Sequence, residues 1–294
     1  MEDGEQNFYI GGFSTAILPQ GIAEINWNNT LISHWVGLKS SPLDGVFHDR
    51  LRQSNFFSTL DGYYGFTNKG NWNLGLRLQF SSARLDNMAR SSPFKVFAFQ
   101  NGKQNTRFDK TYAELTGYGL RFRAIPIEAL PNLLVNVGYT ATTSRSDEYR
   151  ENLNTDRNIF DASATYLLEL NTNSYYYFSF NNVVYPGSGN NSEWLFNSGG
   201  SFFLVHLFFL QNLAVYPGLS YNVTYKSPDV LDQFLIKTRE QVDATIGVQY
   251  QPSPLWSFNF SISRPLLIKT SNLVSEIVRE SYSAVNIGAR VVLR

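Results

Sequence analysis

The chain has 294 residues, no cysteine and a formal net charge of zero. The missing cysteines exclude a disulfide framework and a thiolate metal site, and the balanced charge argues against nonspecific nucleic-acid binding. Hydrophobic residues make up 43% of the chain, yet no run approaches the ~18 apolar residues of a spanning helix. The longest run, 202–210, is interrupted by His206, which excludes a helical inner-membrane protein.

The start, Met1-Glu2-Asp3-Gly4-Glu5, has neither a basic beginning nor an apolar core, so it is not a signal peptide. Met1 is read as a start that follows removal of one. An apolar, Gly-rich stretch comes next, Phe8-Tyr9-Ile10-Gly11-Gly12-Phe13, and then Ala16-Ile17-Leu18-Pro19-Gln20-Gly21. From there, period-two alternation marks extended segments at 21–35, 53–66, 72–81, 111–124, 132–142 and 159–170. Further segments follow at 175–185, 197–209, 213–226, 241–251, 256–263 and 284–293. In 72–81, Trp72, Leu74, Leu76, Leu78 and Phe80 oppose Asn73, Gly75, Arg77, Gln79 and Ser81. In 256–263, Trp256, Phe258, Phe260 and Ile262 oppose Ser257, Asn259, Ser261 and Ser263. The segments 213–226 and 284–293 alternate as cleanly, with Tyr216 falling on the polar row of the former.

The links between these segments sort by length. Residues 67–71, 171–174, 210–212 and 252–255 are tight, whereas 38–50, 85–110, 143–157, 186–195, 227–240 and 266–281 are long. Within 85–110, Lys95–Gln100 reads as strand continuing to a hairpin tip at Asn101-Gly102, a strong turn signal. The links 228–239 and 271–280 read as partly helical, with Ser271 as a cap, and His48-Asp49 falls in the first long link.

Twelve alternating segments with short links at one end and long loops at the other predict an all-β fold. They predict a transmembrane, antiparallel up-and-down β-barrel spanning residues 21–294, with short turns in the periplasm. A soluble barrel would turn its apolar rows inward. The polar rows here carry Ser, Thr, Asn, Gln and Gly in place of the Lys and Glu of a wet surface. Tyr63, Tyr64, Phe66, Trp72, Tyr175–Tyr177 and Trp256 collect near strand ends, as interfacial aromatics do. The expected location is the bacterial outer membrane, among lipids and lipopolysaccharide. Residues 1–20 form either a short periplasmic extension or a plug in the lumen.

The expected site is a lumen wall. Glu24, Asp61, Arg77, Arg121, Arg123, Glu169 and Arg290 share the polar row. The last strand and the first four are neighbours in a closed barrel, so Arg290, Glu24, Asp61, Arg77 and Arg121 fall on one wall. Such a set acts as a constriction that orients polar solutes, as a brace of paired buried charges, or as both. A hydrolase needs a nucleophile, a base and an orienting group. Ser33 and His34 are adjacent and point to opposite faces, and His206 has Leu204 and Phe208 at its two-residue neighbours. His48-Asp49 is a lone pair, so no competent set is present and no enzyme, metal or cofactor is expected.

The turn Leu18-Pro19-Gln20-Gly21, followed by Ile22-Ala23-Glu24-Ile25-Asn26-Trp27, resembles the opening of outer-membrane transporters of the phenol meta-pathway type and of related Bacteroidota barrels. The resemblance covers about fifteen residues and the strand rhythm. It implies a barrel that transports small compounds, and it carries over no site residues. The C-terminus departs from the common barrel pattern, ending in Val291-Val292-Leu293-Arg294 where an aromatic residue is usual. The leading expectation is therefore passive passage of small solutes. The alternatives are a closed accessory barrel that docks a protein partner through its long loops, and a membrane-embedded hydrolase.

Overall fold

The computed structural model describes residues 9–10, 13–14, 17–39, 47–67, 71–88, 90–98, 109–153, 155, 157–187, 193–208, 212–227, 235–270 and 282–294. Twelve antiparallel strands close into a barrel, each paired with its sequence neighbour and the last with the first. They are β1 (Ala23–Lys39), β2 (Phe47–Gly65), β3 (Trp72–Asp86), β4 (Thr111–Ala124), β5 (Leu133–Thr142) and β6 (Ile159–Asn171). The second half is β7 (Ser174–Tyr185), β8 (Leu195–Leu207), β9 (Leu213–Lys226), β10 (Ile236–Ser253), β11 (Trp256–Thr270) and β12 (Tyr282–Leu293). Closure leaves no sheet edge for hydrocarbon to face. A two-residue ladder, Tyr9–Ile10 with Phe13–Ser14, precedes the barrel.

The barrel is inside out. Leu76, Leu120, Ile246 and Ile287 are among its exposed residues, whereas Glu24, Asn73, Ser257, Arg123 and Arg290 are buried. Leu76 keeps 65% of its surface open while Arg123 keeps 1%. A fold in water could not sustain that inversion, because exposed apolar rows around the whole wall would far exceed the patches soluble monomers carry. Aromatic rings belt the short-turn end. Tyr64 packs on Phe66 at 4.8 Å, Phe66 on Trp72 at 5.7 Å and Trp72 on Phe122 at 6.1 Å.

Alternation breaks down on one side. Tyr177 of β7, Phe203, Val205 and Leu207 of β8, and Ala214 and Tyr216 of β9 form a buried apolar cluster on the row opposite to the exposed Phe178, Phe202 and Leu204. Both faces of β8 are therefore apolar over 202–205, which weakens its alternation there.

Several strands run further than the alternation indicated. β2 starts at Phe47, so His48-Asp49 lies on a strand and not in a loop. β10 starts at Ile236, which overturns a helix over 236–239. Residues 93–97 do not continue a strand; they form a 3-10 turn because Ser92 accepts the Phe94 N–H and Pro93 pre-sets the first helical φ. That turn packs Phe97 edge-on against Phe56 at 4.6 Å, and Ser82 donates to the Val96 carbonyl at 2.8 Å. The Asn101-Gly102 tip, Lys69 and the stretch 271–280 lie outside the described residues.

One short helix, α1 (Asp147–Leu153), sits in the loop between β5 and β6. Leu153 packs on Ala83 and Tyr112, and Tyr149 meets Tyr112 edge-on at 5.4 Å. Glu148 accepts from Lys110 and from the Tyr112 hydroxyl, each at 2.7 Å. These two donors hold its carboxyl below the usual range. Because the chain lacks cysteine, single cysteines report topology without background. Arg150→Cys on α1 is expected to react with an impermeant maleimide on intact cells, and Thr172→Cys in the β6–β7 turn only after the outer membrane is opened. The reverse pattern would invert the barrel.

Candidate lumen site

The inward charges collect towards the short-turn end of β12, β1, β2, β3 and β4, and Asp161 joins them from near the long-loop end of β6. Asp61 and Arg77 are direct cross-strand partners. The Arg77 guanidinium grips that carboxylate with both ends of its fork, Nε to Oδ1 at 2.6 Å and Nη2 to Oδ2 at 2.5 Å, the geometry in which arginine binds carboxylate best. Arg121 stands 4.0 Å from the same carboxylate and donates through Nη1 to Asp161 of β6. Its route there is built by a glycine. Gly138 is the register partner of both Arg121 and Asp161, and a Cβ at Gly138 would collide with the Arg121 guanidinium.

Glu24 is the centre of a second group. Its Oε1 accepts from Arg123 Nη1 at 2.9 Å and from Asn26 Nδ2 at 2.8 Å. Its Oε2 accepts from Arg290 Nε at 2.7 Å. Glu24 is fully buried and both arginines nearly so. Arg123 also lies over the Tyr63 ring, 4.3 Å from its centroid, and donates from Nε and Nη2 to Asn73 Oδ1 at 3.3 and 3.2 Å. Burial this complete is tolerable only because each charge is paired and hydrogen-bonded. Together four guanidiniums (Arg77, Arg121, Arg123, Arg290) face three carboxylates (Glu24, Asp61, Asp161), which leaves the wall net positive.

The segment before β1 joins this floor. Asn73 accepts the Leu18 N–H and donates to the Leu18 carbonyl, both at 2.9 Å, so one amide side chain completes the peptide's hydrogen bonds as a strand would. Leu18 is fully buried. Gly65 makes the approach possible, since a Cβ there would overlap the carbonyls of Leu18 and Pro19.

Six of the seven expected residues are thus brought together. Glu169 is not. It is exposed near the short-turn end of β6, opposite Tyr175. Asp161, Asn73, Tyr63 and Gly138 were not anticipated. Asp161 had a readable signal, because strands 4, 5 and 6 place Arg, Gly and Asp in one row. Across the barrel, six strands from β2 in the closed order, the apolar cluster faces this wall. Tyr177 lies 5.9 Å and Tyr216 5.8 Å from Phe203, ring to ring. Of the histidines, His34 follows Ser33 on the same strand with the opposite facing. His206 shares a cross-strand hydrogen bond with Ser174, Nδ1 to Oγ at 3.0 Å. The backbone of His48 is in β2.

No family model matches the chain, and no curated protein matches it. Solved structures do. An outer membrane channel from Pseudomonas putida F1 superposes with a TM-score of 0.59 at 13% identity, covering 95% of this chain and 98% of that one. The β domain of a Bordetella autotransporter gives 0.48 at 10%, covering 92% and 99%. A deletion variant of the TodX monoaromatic hydrocarbon channel gives 0.44 at 11%, covering 94% and 91%. The first of these fixes the fold. The chain is a transmembrane β-barrel. The resemblance to outer-membrane transporter barrels therefore holds at the level of architecture.

Proposed function

We propose that this barrel is a narrow channel for passive passage of small solutes across the outer membrane, without enzymatic activity. The observation that carries the reading is the division of the lumen into two unlike walls. One side carries four guanidiniums against three carboxylates, with Arg77 its most accessible cation, and the other carries the buried apolar cluster of Tyr177, Phe203 and Tyr216. A solute with an anionic or polar end and an apolar body is complementary to both. Twelve strands lie between the eight-stranded barrels that side chains fill and the sixteen-stranded ones that leave a wide pore. The superposed P. putida protein is itself described as a channel, which supports the reading by analogy of fold.

One observation favours a second reading, a closed accessory barrel that docks a protein through its long loops. Glu24, Arg123, Arg290 and Leu18 are almost inaccessible, as they would be in a permanent plug. Arg77→Ser with Arg121→Ser separates the two. For a channel, the wild type conducts in planar bilayers with a preference for anions, and the variant conducts more with that preference reduced. For a plug, the wild type is silent and the variant mainly loses thermal stability. No change in either quantity would remove both arginines from the lumen.

A further inference from the structure

The loop between β5 and β6 does not rise away from the barrel. β5 stops at Thr142, opposite Gly117 of β4. Above that level, residues 111–115 of β4 pair with β3 alone among the described residues, and the loop leans back over the two strands. Thr143 donates its N–H to the Thr116 carbonyl at 2.9 Å and its hydroxyl to the Leu115 carbonyl at 2.8 Å. Glu114 accepts the Arg145 N–H at 3.1 Å. α1 then comes to rest on Ala83 of β3 and Tyr112 of β4.

These contacts lie on the lumen side. Ala83 follows Arg77, Gln79 and Ser81 on the inward row of β3, and Tyr112 is its register partner. α1 therefore reaches from the end of β5 back to β3 across the inner rim of the mouth. It stands above Arg77, on the charged side of the lumen.

The fastening is slight. Leu153 is the one buried residue of α1. The other links are polar and open to water: Glu148 with Lys110 and the Tyr112 hydroxyl, and Arg145 with Glu114. A helix of seven residues does not persist by itself in water, so docking is what keeps α1 folded. A segment with few buried contacts and exposed hydrogen bonds opens at small cost.

We infer that α1 is a lid on the lumen mouth, with Leu153 as its catch and Glu148 as its latch. Docked, it narrows the entrance above the arginine wall. Released, it uncovers that wall to a solute arriving from outside. The inference rests on the channel reading, because a lid serves a barrel through which something passes.

The test uses the full-length barrel in planar bilayers and in detergent micelles. Glu148→Gln with Leu153→Ala removes latch and catch together. The fraction of time spent at the higher conductance level is expected to rise about tenfold or more. Ala83→Cys with Leu153→Cys ties the lid to the wall by a single disulfide, since the chain has no cysteine of its own. Oxidised, that variant is expected to stay at the lower level, and reductant is expected to restore the higher one. Docking is read apart from conduction: Leu153→Cys should react slowly with a maleimide in micelles, and faster once Glu148→Gln is added. Fast labelling without the second change, or one conductance shared by the released, oxidised and reduced forms, would overturn the lid and leave the channel standing. Silence of every form, while labelling shows α1 free, would sink the channel reading and the lid with it. If the released variant does not fold, as judged by heat-modifiable migration on a gel, the disulfide pair carries the test, and no difference between its oxidised and reduced forms overturns the lid as well.

Discussion

Arginine in place of Leu76 is expected to cost roughly 2–4 kcal/mol of folding free energy in a bilayer, the depth-dependent charge for a cation on the lipid face of a barrel. Leu76 is the most exposed of the Leu74, Leu76 and Leu78 row. It sits between Gly62 of β2 and Leu120 of β4, with no carboxylate at either register position. Gln79→Arg, three residues away on the same strand, points inward between Thr59 and Gly117, away from the lipid. It is expected to fold almost as the wild type does. Urea titrations of both variants in phosphatidylcholine vesicles measure the difference. Equal midpoints would mean that the apolar rows do not face lipid.

The architecture was legible because two signals agreed. Strands 3, 9, 11 and 12 alternate without interruption, and short and long links take turns along the chain. Each follows from a wall with hydrocarbon on one side and polar groups on the other. The same logic explains where the reading failed. β8, read at 197–209 and found at Leu195–Leu207, places Phe203, Val205 and Leu207 inward and Phe202 and Leu204 outward, so alternation located the strand without showing that its inner face is apolar there. Tyr216 was placed on the correct face, yet alternation could not say that its neighbours across the strands are Phe203 and Tyr177. Six of the seven charged wall residues could be assigned by parity. Glu169 has the right parity at the wrong height, and parity carries no information about height. Asp161, the partner of Arg121, was missed although Arg121, Gly138 and Asp161 share one row, because the row reads as a contact only once the glycine is seen as the gap the arginine crosses. The turn at Pro93–Phe97 was missed because the apolar run from Lys95 reads as strand, whereas Ser92 and Pro93 start a 3-10 turn there.

Glu24→Gln is expected to be the most damaging change within the lumen. The carboxylate now separates Arg123 from Arg290 and accepts from both. The neutral amide would leave two nearly buried guanidiniums to repel each other, a loss of roughly 3–5 kcal/mol, smaller where water reaches the gap. Combining it with Arg290→Met should recover much of that loss, because the double variant removes one of the two surviving charges and with it the repulsion between them. Urea midpoints of the two single variants and the double variant close the cycle. Additive losses would show that Glu24 and Arg290 do not interact through this pair. Asp61→Asn offers a milder comparison, since Arg77, its main partner, is partly exposed.

The link from Arg290 to Glu24 joins residues 266 positions apart, one on the final strand and one on the first. It therefore stitches the seam at which the barrel closes. During assembly β1 exists long before β12 is available, and contacts of such sequence separation form late and slowly. Until they form, Glu24 lacks one of its two arginine partners and the open edge of β1 has no strand beside it. A chain halted after β11 would be doubly unfinished, lacking both a strand and the cation that settles its buried acid. The ion pair thus works as a checkpoint on order of events: the interior becomes electrically satisfied only when the ends have met, so incomplete sheets stay high in energy and open to correction.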